Sequence, residues 1–255
     1  MSAPEVVVHR DPPLLAAAVA ARLVTRLVDA QAARGEASVV LTGGGIGIAT
    51  LAALAALPAR DAVDWGALDV WWGDERFLPP GDPERNETAA RAALLDHVPL
   101  DPGRVHPMPA GPGSPEAGAR GYAAELAAAA HPEDHAPVPS FDVCLLGVGS
   151  DGHVASLFPG LPALYDERPV TAVRGSPKPP PIRITLTLPA LCRAREVWLV
   201  VAGAAKAQAV RLALSGAGPV QVPAAGVRGQ QRTLWLLDRA AAARLPVGLP
   251  RLASP

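Results

Sequence analysis

Asp151, Gly152 and His153 follow the apolar run FDVCLL at 141–146 after the short stretch GVGS at 147–150. An unperturbed imidazole titrates near pH ~6.5, so a histidine is a residue type that can take a proton from water around neutrality. A carboxylate two residues away can orient that ring or stabilise its cation. On local grounds the same triplet also reads as Asp151 capping a short helical segment HVASLF, with His153 a hydrogen-bonded loop residue.

Three further stretches carry groups suited to an anion. Thr42-Gly43-Gly44-Gly45 follows ASVVL and exposes backbone N–H groups at a helix start, where dipole and unpaired donors favour phosphate; a tight turn would use the same glycines. The spacing departs from the dinucleotide fingerprint, reading G-x-G-x-x-I from Gly43 and G-x-G-x-x-T from Gly45, and no G-K-[ST] follows. Gly73-Asp74-Glu75-Arg76 sets two carboxylates and a guanidinium after LDVWW. Arg76 can fork onto phosphate oxygens, although a solvated turn with an ion pair has the same composition. Lys206 falls in the first turn of a helix, where a cation opposes the macrodipole, so a facing anion explains it better than helix stability does. Among 23 Lys and Arg residues only Lys178 and Lys206 are lysines, which marks both for inspection. Arg183 of RITLT is a further anion contact in this reading.

These groups need a scaffold that brings distant loops together. Apolar runs EVVVHR, ASVVLT, LDVWW, FDVCLLGV, EVWLVVAG and TLWLLD read as strands, with PVTAVR and RITLTL as two more. Between them lie helical patterns. One opens at Pro12-Pro13, repeats Leu15, Val19, Leu23 and Leu27, and stops at Gly35. Others are IGIATLAALAAL, NETAARAALLDHV with Asn86 as its side-chain cap, SPEAGARGYAAELAAAA, AAKAQAVRLALSG and RAAAARL. Strands alternating with helices predict an α/β fold, a mostly parallel sheet with helices on both faces, and the length suits one large domain or two small ones. In such sheets ligands bind beyond the carboxyl ends of the strands, so loops at 43, 73, 149 and 203 should converge on one crevice.

Composition narrows the partners. At 255 residues and 49% hydrophobic content the chain can fill a large core, and its formal net charge of -1 gives no global field for nucleic acid or an anionic membrane. The 29 prolines exceed average usage, and the excess falls mostly between periodic segments, as in PPGDP, PMPAGPGSP and SPKPPP, which read as loops. Cys144 and Cys192 lack metal or disulfide spacing and read as reduced core thiols. The first residues lack a basic n-region and no run is long enough to span a bilayer, so the expected compartment is the cytoplasm.

G-x-G-x-DGH-x-ASLFPG at 147–160, WWGDERFLPPGDPERN and P-x-RITLTLPAL together resemble the bacterial 6-phosphogluconolactonase family, from about Val39 to about Leu237. The resemblance implies a modified Rossmann-like, mostly parallel sheet in a single domain spanning 1–255, and hydrolysis of 6-phosphoglucono-δ-lactone to 6-phosphogluconate in the oxidative pentose phosphate route, without metal or organic cofactor. On that reading His153 is the general base, Asp151 orients it, Asp74 holds sugar hydroxyls or the water, and backbone N–H groups of 149–152 face the oxyanion. The phosphate contacts are Thr42, Gly43, Gly44, Gly45, Arg76, Arg183 and Lys206. Many members carry a Gly-Gly-Ser-Thr-Pro turn where this chain has Gly44-Gly45-Ile46-Gly47-Ile48, so hydroxyl contacts are lost or move to Thr42. The partner implied is a small sugar-phosphate lactone, to a monomer or small homo-oligomer. An amino-sugar-phosphate deaminase or isomerase and a non-catalytic sugar-phosphate sensor are the alternatives. A dinucleotide-dependent dehydrogenase is disfavoured by the glycine spacing.

Overall fold

The computed structural model describes residues 3–111, 113–249 and 251–253. In chain order its elements are β1 (Glu5–His9), α1 (Pro12–Arg34), β2 (Ala37–Leu41), α2 (Gly44–Ala56), β3 (Leu68–Trp72), β4 (Asp74–Arg76), α3 (Asn86–Ala93) and α4 (Pro115–Ala129). There follow β5 (Val143–Gly147), β6 (Val170–Val173), β7 (Arg183–Leu186), α5 (Leu188–Leu191), β8 (Glu196–Val201), α6 (Ala207–Leu214), β9 (Arg232–Asp238) and β10 (Arg251–Ala253).

Seven strands pair in the order β10-β1-β9-β8-β5-β2-β3, every pair parallel. Consecutive residues Val143 to Leu146 and Val197 to Val201 are all buried, which an alternating side-chain pattern permits only when both faces are covered. Helix α1 supplies part of that cover. Asp11 caps it by accepting Leu14 N–H at 2.9 Å, and Leu15, Val19, Leu23 and Leu27 turn inward at one-turn spacing. The α/β, mostly parallel architecture expected from the pattern is therefore what the chain adopts.

The connections reverse direction at one place. From β2 the chain moves outward to β3, whereas from β5 it moves the opposite way to β8 and β9. The switch lies between β2 and β5, where doubly wound sheets open a crevice. Thr42 Oγ1 bridges it by accepting Gly147 N–H at 3.2 Å.

Several local expectations are corrected. GDER is not a loop: Asp74–Arg76 form β4, which pairs antiparallel with β7 in a second sheet, β4-β7-β6, covered by α4. Asn86 does not cap α3 but is its first residue. The buried Glu75 carboxylate instead accepts the N–H groups of Asn86 at 2.7 Å and Glu87 at 2.8 Å, a charged acceptor that a local amide cannot match. HVASLF is not a helix, so Asp151 caps nothing there; Val154 and Leu157 form an isolated bridge around Ala155, whose φ is 48°. RAAAARL shrinks to a 3₁₀ turn at Ala241–Arg244. Cys192 lies just past α5 and is half-buried, while Cys144 is fully buried in β5.

Candidate active site

The ends of β2, β5 and β8 and the small antiparallel sheet enclose a cleft of about 450 Å³. Just past β2 come Thr42 and Gly43, followed by Gly44 and Gly45 in the first turn of α2. A methyl group on Gly43 would sit 1.9 Å from Asn86 Oδ1, so only glycine lets α3 approach this turn. β4 contributes Asp74 and Arg76, β7 contributes Arg183, and the loop before β7 contributes Lys178 and Pro179. After β8, the Asp238 carboxylate on β9 pins the turn by accepting Gly203 N–H at 3.1 Å. The next turn, Ala204–Lys206, brings Lys206 to the cleft just ahead of α6 rather than inside its first turn.

His153 lines the cleft and Asp151 stands behind it, outside the lining. Nδ1 of His153 lies 2.5 Å from Asp151 Oδ1. An ionised carboxylate can only accept, so Nδ1 carries the proton, and in the neutral ring Nε2 keeps its lone pair. Burial opposes charge on Asp151, but the hydrogen bond and charge of His153, helped by Lys178, hold its carboxyl well below the usual range. The ring also packs on Phe158, with centroids 4.5 Å apart. At Gly149 a Cβ would fall 2.0 Å from His153 Nδ1 and 2.3 Å from Asp151 Oδ1, so the pair fits only over a glycine.

Asp74 is buried and held from two sides. Ser156 Oγ donates to its Oδ2 at 2.6 Å, and the Asn86 amide donates to its backbone carbonyl at 2.9 Å. The other carboxylate of the tetrad, Glu75, points away to cap α3, and burial pushes its pKa up. Arg76 and Arg183 face each other directly across the β4–β7 pair, an unfavourable juxtaposition that an anion between them would relieve. Arg76 donates one N–H to the Glu84 carbonyl, and its Nε is buried without a hydrogen-bond partner. Arg183 is more committed than the sequence reading allows. Its Nε donates to Pro180 O at 3.2 Å and its Nη2 to Lys178 O and Pro179 O at 3.0 and 3.1 Å, leaving Nη1 3.8 Å from Asp74. Burial lowers its pKa, with Asp74 opposing. Burial likewise lowers that of Lys206, and Lys178 adds to the effect.

The oxyanion donors expected from 149–152 are partly corrected, since Gly149 N–H is given to His153 O at 2.9 Å and Gly152 N–H to Gly149 O at 3.0 Å. Lys178, Asn86 and Ser156 were missed as site residues. Only Lys178 had a usable signal, its rarity in an arginine-rich chain. Among the described residues no group of three or more His, Cys, Asp or Glu is placed to hold a metal ion, and no helix is long and apolar enough to cross a membrane.

A 6-phosphogluconolactonase of Streptomyces coelicolor is 66% identical over 251 residues, 96% of each chain. That of Mycobacterium tuberculosis is 54% identical over 241 residues, covering 92% of this chain and 96% of the other. Among solved structures, the 6-phosphogluconolactonase of Trypanosoma brucei aligns with a TM-score of 0.82 at 30% identity, over 96% of this chain and all 100% of that one. A monomeric glucosamine-6-phosphate deaminase, at 20% identity and a TM-score of 0.78, shares the fold. The profile described as glucosamine-6-phosphate isomerases/6-phosphogluconolactonase matches residues 10–235. With relatives this similar along nearly its whole length, the chain belongs to the 6-phosphogluconolactonase family.

Proposed function

We propose that the protein hydrolyses 6-phosphoglucono-δ-lactone to 6-phosphogluconate. The observation that carries this reading is an imidazole with its Nδ1 tied to a carboxylate, sharing a cleft with a helix N-terminus and separate cationic side chains. The names of the similar relatives point to the same substrate.

Nε2 of His153 takes a proton from water as the oxygen attacks C1, and Asp151 stabilises the imidazolium that forms. Collapse of the tetrahedral adduct breaks the bond from C1 to the ring oxygen, and the imidazolium returns its proton to that oxygen. General-base assistance of this kind contributes about 10²- to 10⁴-fold. The phosphate sits over the N-terminus of α2, against Gly44 and Gly45 N–H groups and the Thr42 hydroxyl, with Arg76, Arg183 and Lys206 around it. Asp74, fixed by Ser156, receives sugar hydroxyls or the attacking water. Binding the phosphate far from C1 positions the carbonyl, so Lys206 acts on KM and, through alignment, on kcat.

The test is a lactonase assay on freshly generated substrate with spontaneous hydrolysis subtracted. Turnover is expected, with kcat of His153→Ala lower by at least about tenfold, the low side of the general-base range. Ammonia release from glucosamine 6-phosphate without lactone turnover would overturn the reading, and near-normal kcat in His153→Ala would remove the imidazole from it.

A further inference from the structure

Lys178 stands beside the imidazole rather than deep in the phosphate end. Its Nζ lies 3.5 Å from His153 Nδ1. Because Nδ1 donates to Asp151, the ring cannot accept there, and none of the three ammonium protons is committed to it. The backbone under Lys178 is held tightly. Ser176 Oγ donates to Lys178 O at 2.9 Å and accepts its N–H at 3.3 Å, Arg183 donates to the carbonyls of Lys178, Pro179 and Pro180, and Ser176 N–H reaches Pro181 O at 3.0 Å. A long flexible side chain thus springs from a fixed base at the rim of the cleft.

A donor is needed at this place. Attack on an ester carbonyl puts negative charge on its oxygen, and a preorganised donor there is worth about 10²- to 10³-fold in kcat. The two glycine N–H groups nearest the imidazole are already given to carbonyls of their own loop. We infer that Lys178 is a further catalytic residue of the lactonase reading, hydrogen-bonding the C1 oxygen as it becomes an oxyanion, while Lys206 serves the phosphate. The division suits the charges: burial first, and then the nearby Lys178, lower the pKa of Lys206, and both ammonium groups are relieved when each faces its own anionic oxygen.

The experiment compares Lys178→Met and Lys206→Met in lactone turnover and in calorimetric binding of two ligands. 6-Phosphogluconate carries a carboxylate at C1, and glucitol 6-phosphate has the same chain with an uncharged C1. For Lys178→Met, kcat should fall by about 10²-fold. It should weaken 6-phosphogluconate about tenfold while glucitol 6-phosphate stays within about twofold. Lys206→Met should weaken both ligands alike. Unchanged kcat in Lys178→Met, or equal loss of both ligands, would overturn the inference while leaving the lactonase reading intact. An unsubstituted protein that does not turn over lactone would overturn that reading and this inference with it.

Discussion

The site turns on small steric and electrostatic decisions made by single residues. His153 and Asp151 can meet at 2.5 Å because position 149 lacks a side chain; a methyl there would lie inside the van der Waals envelope of both. Gly149→Ala should therefore displace the ring and reduce kcat by about 10²-fold, within the range of a lost general base. Its far-UV circular dichroism should stay native. A folded Gly149→Ala protein with full turnover would show that the His–Asp contact is dispensable. The local sequence made His153 and Asp151 legible because they are two residues apart. It could not show that Asp151 stays out of the cleft, that Glu75 turns from the cleft to α3, or that Lys178 reaches the imidazole from 25 residues away.

At the scale of elements, two carboxylate devices fix the pieces that carry the site. One is Glu75, whose buried carboxylate joins β4 to the start of α3 and so aims both Asp74 and Asn86. The other is His106, with Nδ1 2.7 Å from Glu125 on α4 and Nε2 3.2 Å from Asp69 on β3, stacked 3.8 Å over Trp71. Both ring nitrogens face acceptors, which suits the imidazolium. Burial favours the neutral ring, yet Asp69 and Glu125 prevail and raise its pKa above the ordinary value. A raised folded pKa means that the clamp's stability is fully present below about pH 6.5 and is lost as pH rises through the folded value. Arg104, which pairs with Asp69 at 2.7 Å and with Glu36 at 3.0 Å, stays charged throughout and competes for Asp69. His106→Gln should accordingly lower the melting temperature more at about pH 5.5 than at about pH 9. Equal losses at both would remove the charge from the account. The helices read from the sequence survived where they were long and periodic, as in α1, and failed where they were short and unsupported, as at HVASLF and RAAAARL. A few residues of helix cannot outweigh the cost of nucleation unless packing supplies the difference.

Across the whole molecule the cleft is a seam. Thr42, Gly44 and Lys206 belong to the crossover turns of the parallel sheet, whereas Asp74, Arg76 and Arg183 stand on the antiparallel one. A sugar phosphate held by both should stabilise the native state, by about 2.7 kcal/mol at a ligand concentration 100-fold above Kd. Thermal unfolding with 6-phosphogluconate should show the rise, and Lys206→Met should abolish most of it at the same concentration. A ligand that binds without shifting the transition would argue against contacts to both sheets.

The sequence by itself determined the alternation of strands and helices, the parallel sheet, the glycine turn at a helix start and the His–Asp neighbours, because each is a pattern of short-range periodicity or spacing. Only the tertiary structure decided how GDER divides its charges, which cations face which end of the cleft, and which backbone donors remain free. Those outcomes depend on the β4–β7 register, which sets Asp74 opposite Thr185 and Arg76 opposite Arg183 across a sequence separation of more than a hundred residues. Hydrogen-bond partners at such distance are chosen by where packing brings the chain, and a charged group takes the best acceptor or donor it then finds.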